Sequence, residues 1–288
     1  MRSFLFVPGH RERMVERALS LGEFSPTGVD VAILDLEDGV PLDQKGSART
    51  VVAAALGRSR SQGGVPRRFV RVNASRDELE RDLEAVIVEE PDGLVIPKVH
   101  EIDEALDVAR LAELHARRSG VTAVALLPSI ESARGLLAAP GIARCSEHVV
   151  GLLFGAEDFA LDLGLPAERT GDAAELLYAR SAVVVAAAAA GKIAIDGIWP
   201  DIRDLDGLRR DARRGRQLGF AGKSVVHPSH VEIVNEIFAA TADEIAYAER
   251  VVAAFTDAQA RGVAAVELDG TLLDPPIVAR AKKTLDRK

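Results

Sequence analysis

The sequence holds a single cysteine, Cys145. A lone thiol makes no internal disulfide framework, which excludes a cross-linked secreted scaffold and fits a reducing, cytoplasmic setting. A net positive charge is also lacking. The formal net charge is −8, and that weighs against a general nucleic-acid binder. Long apolar runs are missing too. Ser3–Pro8 is too short for the h-region of a signal peptide, and Ala182–Ala190 is too short and alanine-rich to span a bilayer. No G-x-G-x-x-G follows the first apolar run, so the dinucleotide signature of a Rossmann sheet is absent. Low-complexity linkers are absent as well.

What the sequence does contain is a repeated alternation. Short β-branched runs occur at Ser3–Val7, Val31–Leu36, Arg68–Val72, Gly93–Pro97, Thr122–Leu127, Val149–Phe154, Ala194–Ile198 and Lys223–Val226. Amphipathic helical patterns lie between them, among them Asp77–Glu89, Ile102–Arg118, Asp172–Ala190 and Leu205–Leu218. Near-continuous apolar strands alternating with helices signal a parallel sheet buried on both faces. Eight such units in 288 residues favour a TIM (β/α)8 barrel of the α/β class. The expected barrel covers residues 1–238, and residues 239–288 form a C-terminal helical extension and tail. The tail follows helices over Pro228–Phe238 and Ala242–Arg261. Val263–Leu273 reads as a small hairpin turning at Asp269-Gly270, and Pro275-Pro276 breaks the chain before a last short helix. This tail is expected to cover the barrel mouth or to reach a neighbouring subunit. The basic run Asp211–Arg216 reads as a solvated helix face.

In such barrels chemistry gathers at the C-terminal ends of the strands, and here those ends are polar. They carry Asp35, Glu37 and Asp38, then Arg71 and Asn73, Lys98, Glu131, Glu157 and Asp158, Asp196, and His227. Burying so many carboxylates without cations is costly, which favours a site over a structural ring of ion pairs. Glu131 and Asp158 follow adjacent strands and are the expected metal ligands. Oxygen donors without a Cys/His cluster favour Mg²⁺ over zinc. Asp35 and Glu37 face one way along a strand, placed to hold a metal-bound water or to orient a basic partner. Arg71 offers a fork of donors to a carboxylate, a thioester carbonyl or an enolate, or a salt bridge to Glu37 or Asp38. Gly155 and the N–H groups of residues 156–158, Ala156 and Glu157 among them, are placed to cradle a small carboxylate. The loop with His10, Arg11 and Arg13 could take phosphate groups.

Several of these pieces occur in a telling order: Arg2 through Pro8 (RSFLFVP), Leu34 through Val40 (LDLEDGV), Arg71-Val72-Asn73, Pro97-Lys98, Glu131-Ser132-Ala133 and Phe154 through Asp158 (FGAED). Asp196, Gly222-Lys223, His227-Pro228 and Gly270 through Asp274 with Pro276 continue it. Together they resemble the citrate lyase β-subunit-like branch of the HpcH/HpaI aldolase superfamily over essentially the whole chain. The resemblance implies a TIM barrel, often a homotrimer, with Mg²⁺ on Glu131 and Asp158. It further implies that Arg71 faces the substrate carbonyl and that Glu37 and Asp38 stand behind the metal waters. Asp274 fits a catalytic aspartate supplied by an adjacent subunit. Arg2, Arg11 and Arg13 fit the region that meets coenzyme A or carrier phosphates. The implied activity is cleavage or formation of citryl-, malyl- or citramalyl-type acyl thioesters, with a small acid and acyl-CoA as partners. Two alternatives stay open: an aldolase acting on free oxo acids without CoA, and a lyase subunit that depends on an acyl carrier protein.

Overall fold

The computed structural model describes residues 1–20, 28–59, 66–166, 173–262 and 265–286. By internal packing the chain divides into two units, Met1–Glu236 and Ile237–Lys288. In the first unit eight parallel strands close into a barrel in sequence order. They are β1 (Ser3–Pro8), β2 (Val31–Asp35), β3 (Arg67–Arg71), β4 (Gly93–Ile96), β5 (Ala125–Ile130), β6 (Gly151–Phe154), β7 (Ile193–Asp196) and β8 (Gly222–Val225). The helices between and after them are α1 (Glu12–Ser20), α2 (Lys45–Ser59), α3 (Arg76–Val86), α4 (Ile102–Ser119), α5 (Ala133–Ile142), α6 (Ala156–Asp162), α7 (Leu177–Ala189), α8 (Leu205–Leu218) and α9 (Ser229–Phe238). This is the (β/α)8 architecture that the eight alternating runs predict. Asp172, the expected start of the seventh helix, lies outside the described residues.

Strand alternation sorts side chains between two buried layers. Inside the barrel Phe4, Val31, Ile33, Phe69, Val95, Leu127, Leu153 and Ile195 pack into one cluster. Gly93 has no side chain because the Phe69 ring occupies that space. The outward residues pack under the helices.

One strand lies off its expected place. The run Thr122–Leu127 predicts β5 three residues too early. Pairing fixes it at Ala125–Ile130, with Gly93 opposite Ala125 and Ser129 opposite Leu153. Pro128 has no N–H for a ladder and usually argues against an inner strand. Here it faces Ile96, the last residue of β4, where that ladder ends. The shift puts Ser129 inside the strand and Glu131 directly at its end.

The second unit is small. Helix α10 (Ala242–Ala260) begins at a capping box formed by Thr241 and Glu244. Strands β9 (Val266–Leu268) and β10 (Thr271–Leu273) form the expected hairpin, with Asp269 and Gly270 both at positive φ. Val263, where that hairpin was expected to begin, is outside the described residues. Helix α11 (Pro275–Leu285) starts on the two prolines, whose missing N–H groups cost nothing in a first turn. Ala248, Val251, Phe255, Leu273, Val278 and Ala281 form the core of this unit.

Candidate active site

At the C-terminal mouth of the barrel, β2 and β3 present a fixed cationic fork. Asp35 and Arg71 are register partners on adjacent strands. Arg71 donates from Nε and Nη2 to the two Asp35 oxygens, each at 2.7 Å. The same oxygens accept the N–H groups of Glu37 and Gly39 at 2.9 Å. A side chain at position 39 would collide with the Asp35 carboxylate, so this turn requires glycine. Arg71 Nη1 also lies 3.2 Å from Glu37 Oε2, and the guanidinium stacks 4.9 Å above the Phe6 ring. These contacts engage three of the five N–H groups of the guanidinium and raise its basicity despite burial.

Lys98, two residues past β4, closes this cluster from the other side. Its Nζ lies 2.6 Å from Glu37 Oε1 and 2.8 Å from Asp38 Oδ2. Burial pushes the Glu37 carboxyl above its ordinary value, with Arg71 and Lys98 pulling the other way. At Asp38 burial is outweighed by Lys98, and the carboxyl is held below the usual range.

A second network lies beneath the loop. Lys45, buried on α2, donates to the carbonyls of Leu36 at 2.7 Å and Glu37 at 2.6 Å, and to Asn73 Oδ1 at 2.7 Å. Asn73 donates in turn to Leu36 O and to Asp82. The fully buried Asp82 is paired by Arg49 at 2.7 Å. The acidic loop is thus tied at its carbonyls as well as its side chains.

Across the mouth, Glu131 leaves the end of β5 and Asp158 stands in the first turn of α6. Glu131 is 5% exposed, and its Oε2 has no hydrogen-bond partner among the described residues. Burial pushes its carboxyl up to about 7, partly offset by the nearby Ser129 hydroxyl; the charge of Asp158 raises it further. Gly155 is what admits this carboxylate, since a Cβ there would run into Glu131 Cγ. Asp35, Arg71, Glu131, Gly155, Ala156, Glu157 and Asp158 line one cavity of about 310 Å³. Phe6, Met14, Leu153, Phe154, Ile198 and Val226 give it apolar walls.

The donors suit a hard divalent cation: two carboxylates on one cavity, one of them with a buried oxygen that no described residue satisfies. Among the described residues no group of three or more His, Cys, Asp or Glu is arranged to hold a metal ion. One or two protein carboxylates are what Mg²⁺ commonly takes.

Residues 2–228 match the HpcH/HpaI aldolase/citrate lyase family. The chain belongs to that family. It is 34% identical over 291 residues to the citrate lyase subunit beta of Leuconostoc mesenteroides subsp. cremoris, covering 99% of this chain and 92% of that protein. It is 35% identical over 298 residues to the mitochondrial citramalyl-CoA lyase of Mus musculus, covering 98% and 84%. The crystal structure of protein CitE from Mycobacterium tuberculosis in complex with magnesium, acetoacetate and coenzyme A is 28% identical. It superposes with a TM-score of 0.78 over 99% of this chain and 97% of that one.

Several sequence expectations change on this family scaffold. Arg2 precedes β1, so it stands at the opposite end of the barrel from the cavity. Its guanidinium is bonded to Asp30 at 2.9 and 3.1 Å, so it is no phosphate contact for the site. Arg11, in the loop after β1, and Arg13, in the first turn of α1, are exposed. Glu37 and Asp38 do not line the cavity; they turn to Lys98, and Asp35 takes the inner place. Asp196 does not face the mouth. It is the register partner of Lys223, on the outward side of the wall, where Lys223 and Arg180 pair with it and with Asp211 at 2.5–3.0 Å. His227 is exposed and bonded to Ser229. Asp274 caps α11, accepting the N–H of Ile277 at 3.1 Å.

Proposed function

We propose that the protein is a magnesium-dependent carbon–carbon lyase that cleaves or forms a citryl-, malyl- or citramalyl-type acyl thioester through a thioester enolate. The observation that carries this reading is the cavity itself. It sets the partnerless Glu131 oxygen and Asp158 on one wall and the clamped Arg71 fork on another. Glu131 and Asp158 would hold the Mg²⁺. When bound, the ion supplies charge neutralisation for the α-oxygen and carboxylate of the acid half. Arg71 has two N–H groups left for the oxygen on which enolate charge develops. Asp35 fixes that fork in advance, so little reorganisation is needed as the bond breaks. The N–H groups opening α6 at Ala156 and Glu157, beside Gly155, are placed to receive the acid's carboxylate. The apolar walls exclude water that would protonate the enolate out of turn.

The enolate carbon needs a proton donor, and Asp274, supplied by a second copy, is the proposed acid. A cavity of about 310 Å³ accommodates a small acid and a thioester end, not a whole coenzyme A. The remainder of the thioester carrier would lie outside, where Arg11 and Arg13 stand. Exposed apolar side chains on α5, α6 and α7, Leu137, Leu161, Tyr178 and Val185, support a homo-oligomer, with a trimer as the expected form.

Calorimetric titration of Mg²⁺ and then oxaloacetate tests the site. Metal-dependent acid binding is expected in the native chain and not in Glu131→Ala or Asp158→Ala. Acyl-CoA turnover follows, and turnover of the free acid alone would favour the aldolase reading instead. A second reading draws on the Leuconostoc relative, which is a subunit by name: the thioester sits on a carrier protein. A chain that binds acid and metal but leaves every CoA thioester intact would favour it.

A further inference from the structure

One side chain at the barrel mouth stands on strained backbone. Lys98 has φ of 53°, in the left-handed region that non-glycine residues rarely enter. Strain of this kind persists only where surrounding contacts determine it, and it collects at functional sites. Here it gives the side chain a direction. The chain turns as soon as it has left β4 through Pro97, and the ammonium reaches past the end of β3 to the β2 loop. It meets both oxygens of Asp38 and Oε1 of Glu37, the last at 2.6 Å. The other Glu37 oxygen, Oε2, lies 3.2 Å from Arg71 Nη1. Glu37 is therefore shared between two cations, and the lysine has the shorter contact.

We propose that Lys98 is a positioning residue: by sharing Glu37 with Arg71 it limits that carboxylate to one Arg71 N–H group and so keeps the two remaining ones available to an anionic oxygen in the cavity. The inference rests on the reading of that cavity as a magnesium and oxo-acid site. Without the lysine, Glu37 Oε1 loses its partner and the carboxylate closes further on Arg71, occupying a second donor that otherwise faces the cavity. Charge gives the change a sign. Asp35, Glu37, Asp38, Glu131, Glu157 and Asp158 are six carboxylates set around two cations, Arg71 and Lys98. Loss of one cation makes the mouth more attractive to a divalent metal and less attractive to an anionic acid. A purely structural lysine has a different signature, because a loosened mouth weakens both ligands together.

The experiment is calorimetry on Lys98→Met, with Mg²⁺ alone and then with oxaloacetate at saturating Mg²⁺. Mg²⁺ is expected to bind as in the native chain or a few-fold more tightly, while the oxaloacetate Kd rises about tenfold. Lys98→Arg is expected to restore acid binding to near the native value. Lys98→Asn removes the charge but suits left-handed backbone, so it gives the same readout if the methionine variant does not fold. Native acid affinity in the uncharged variants, or parallel weakening of metal and acid, overturns the assignment of Lys98 alone. A native chain that binds no Mg²⁺ overturns the lyase reading, and this inference with it.

Discussion

Gly155 and Glu131 occupy each other's space: the glycine lacks a side chain where the carboxylate lies. Gly155→Ala is therefore expected to keep the fold but displace Glu131, lowering Mg²⁺ affinity at least tenfold by calorimetry. Unchanged affinity would remove Glu131 from the metal site. Arg71→Lys keeps the charge and loses the two-point grip on Asp35, since an ammonium is not a planar fork. A kcat lower by about 10²-fold is expected with a smaller change in KM, the size typical of losing one preorganised donor. Asp274→Asn retains a good helix cap and should leave the melting temperature within a few degrees. If Asp274 is the acid, turnover falls by orders of magnitude in the same variant. At this scale the sequence was readable where charge is dense after an apolar strand, as at Asp35, Glu37, Asp38 and Arg71. It was not readable at Lys45 or Asp82. Both sit in ordinary helical patterns, and Lys45 meets Asn73 across 28 positions while Asp82 meets Arg49 across 33.

Among the elements, β7 and β8 carry the clearest lesson. Asp196 lies at a strand end, as catalytic residues do, yet its side chain faces outward with Lys223. Composition shows that a carboxylate is present; only pairing register shows which side of the wall it serves. The outward cluster of Arg180, Asp196, Asp211 and Lys223 is 1–6% exposed. Lys223→Met would leave two buried carboxylates with one arginine, and breaking such a cluster costs about 3–5 kcal/mol. Urea unfolding should show that loss with no direct effect on Mg²⁺ affinity. The cluster also predicts an acid limit. Burial opposes the charge on Asp211, but Lys223 and Arg180 together hold its carboxyl below the usual range. A depressed folded-state value means the contribution is complete above the unfolded value of about 4. It is lost as pH falls through the lower, folded value. Melting temperature should drop below about pH 4, and the drop should be shallower in Asp211→Asn. The β5 run was misread for a related reason: Thr122–Val124 has strand-like composition, but the neighbours' register begins the strand at Ala125.

For the whole molecule, the architecture was legible because a barrel repeats one unit eight times, so a misplaced edge in one strand does not disturb the count. The helical extension was legible from its helical patterns, its Asp269-Gly270 turn and its proline pair. The first unit holds a complete closed sheet with its own core. A chain ending at Ala240 is expected to fold with a single cooperative transition by circular dichroism and to retain Mg²⁺ and oxaloacetate binding. It should lose turnover if Asp274 supplies the proton, and full turnover would assign that acid elsewhere.

The alternation along the strands also has a bearing on how such a barrel can change over evolutionary time. Alternate positions along a strand serve different compartments: Asp35 of β2 faces the cavity, and Asp196 of β7 faces the scaffold. Inserting or deleting a single residue within a strand would exchange the two, sending a scaffold carboxylate into the cavity and a site residue under the helices. Such length changes should be tolerated only in the connections. Diversity among descendants of this fold should accumulate there, while strand lengths stay constant.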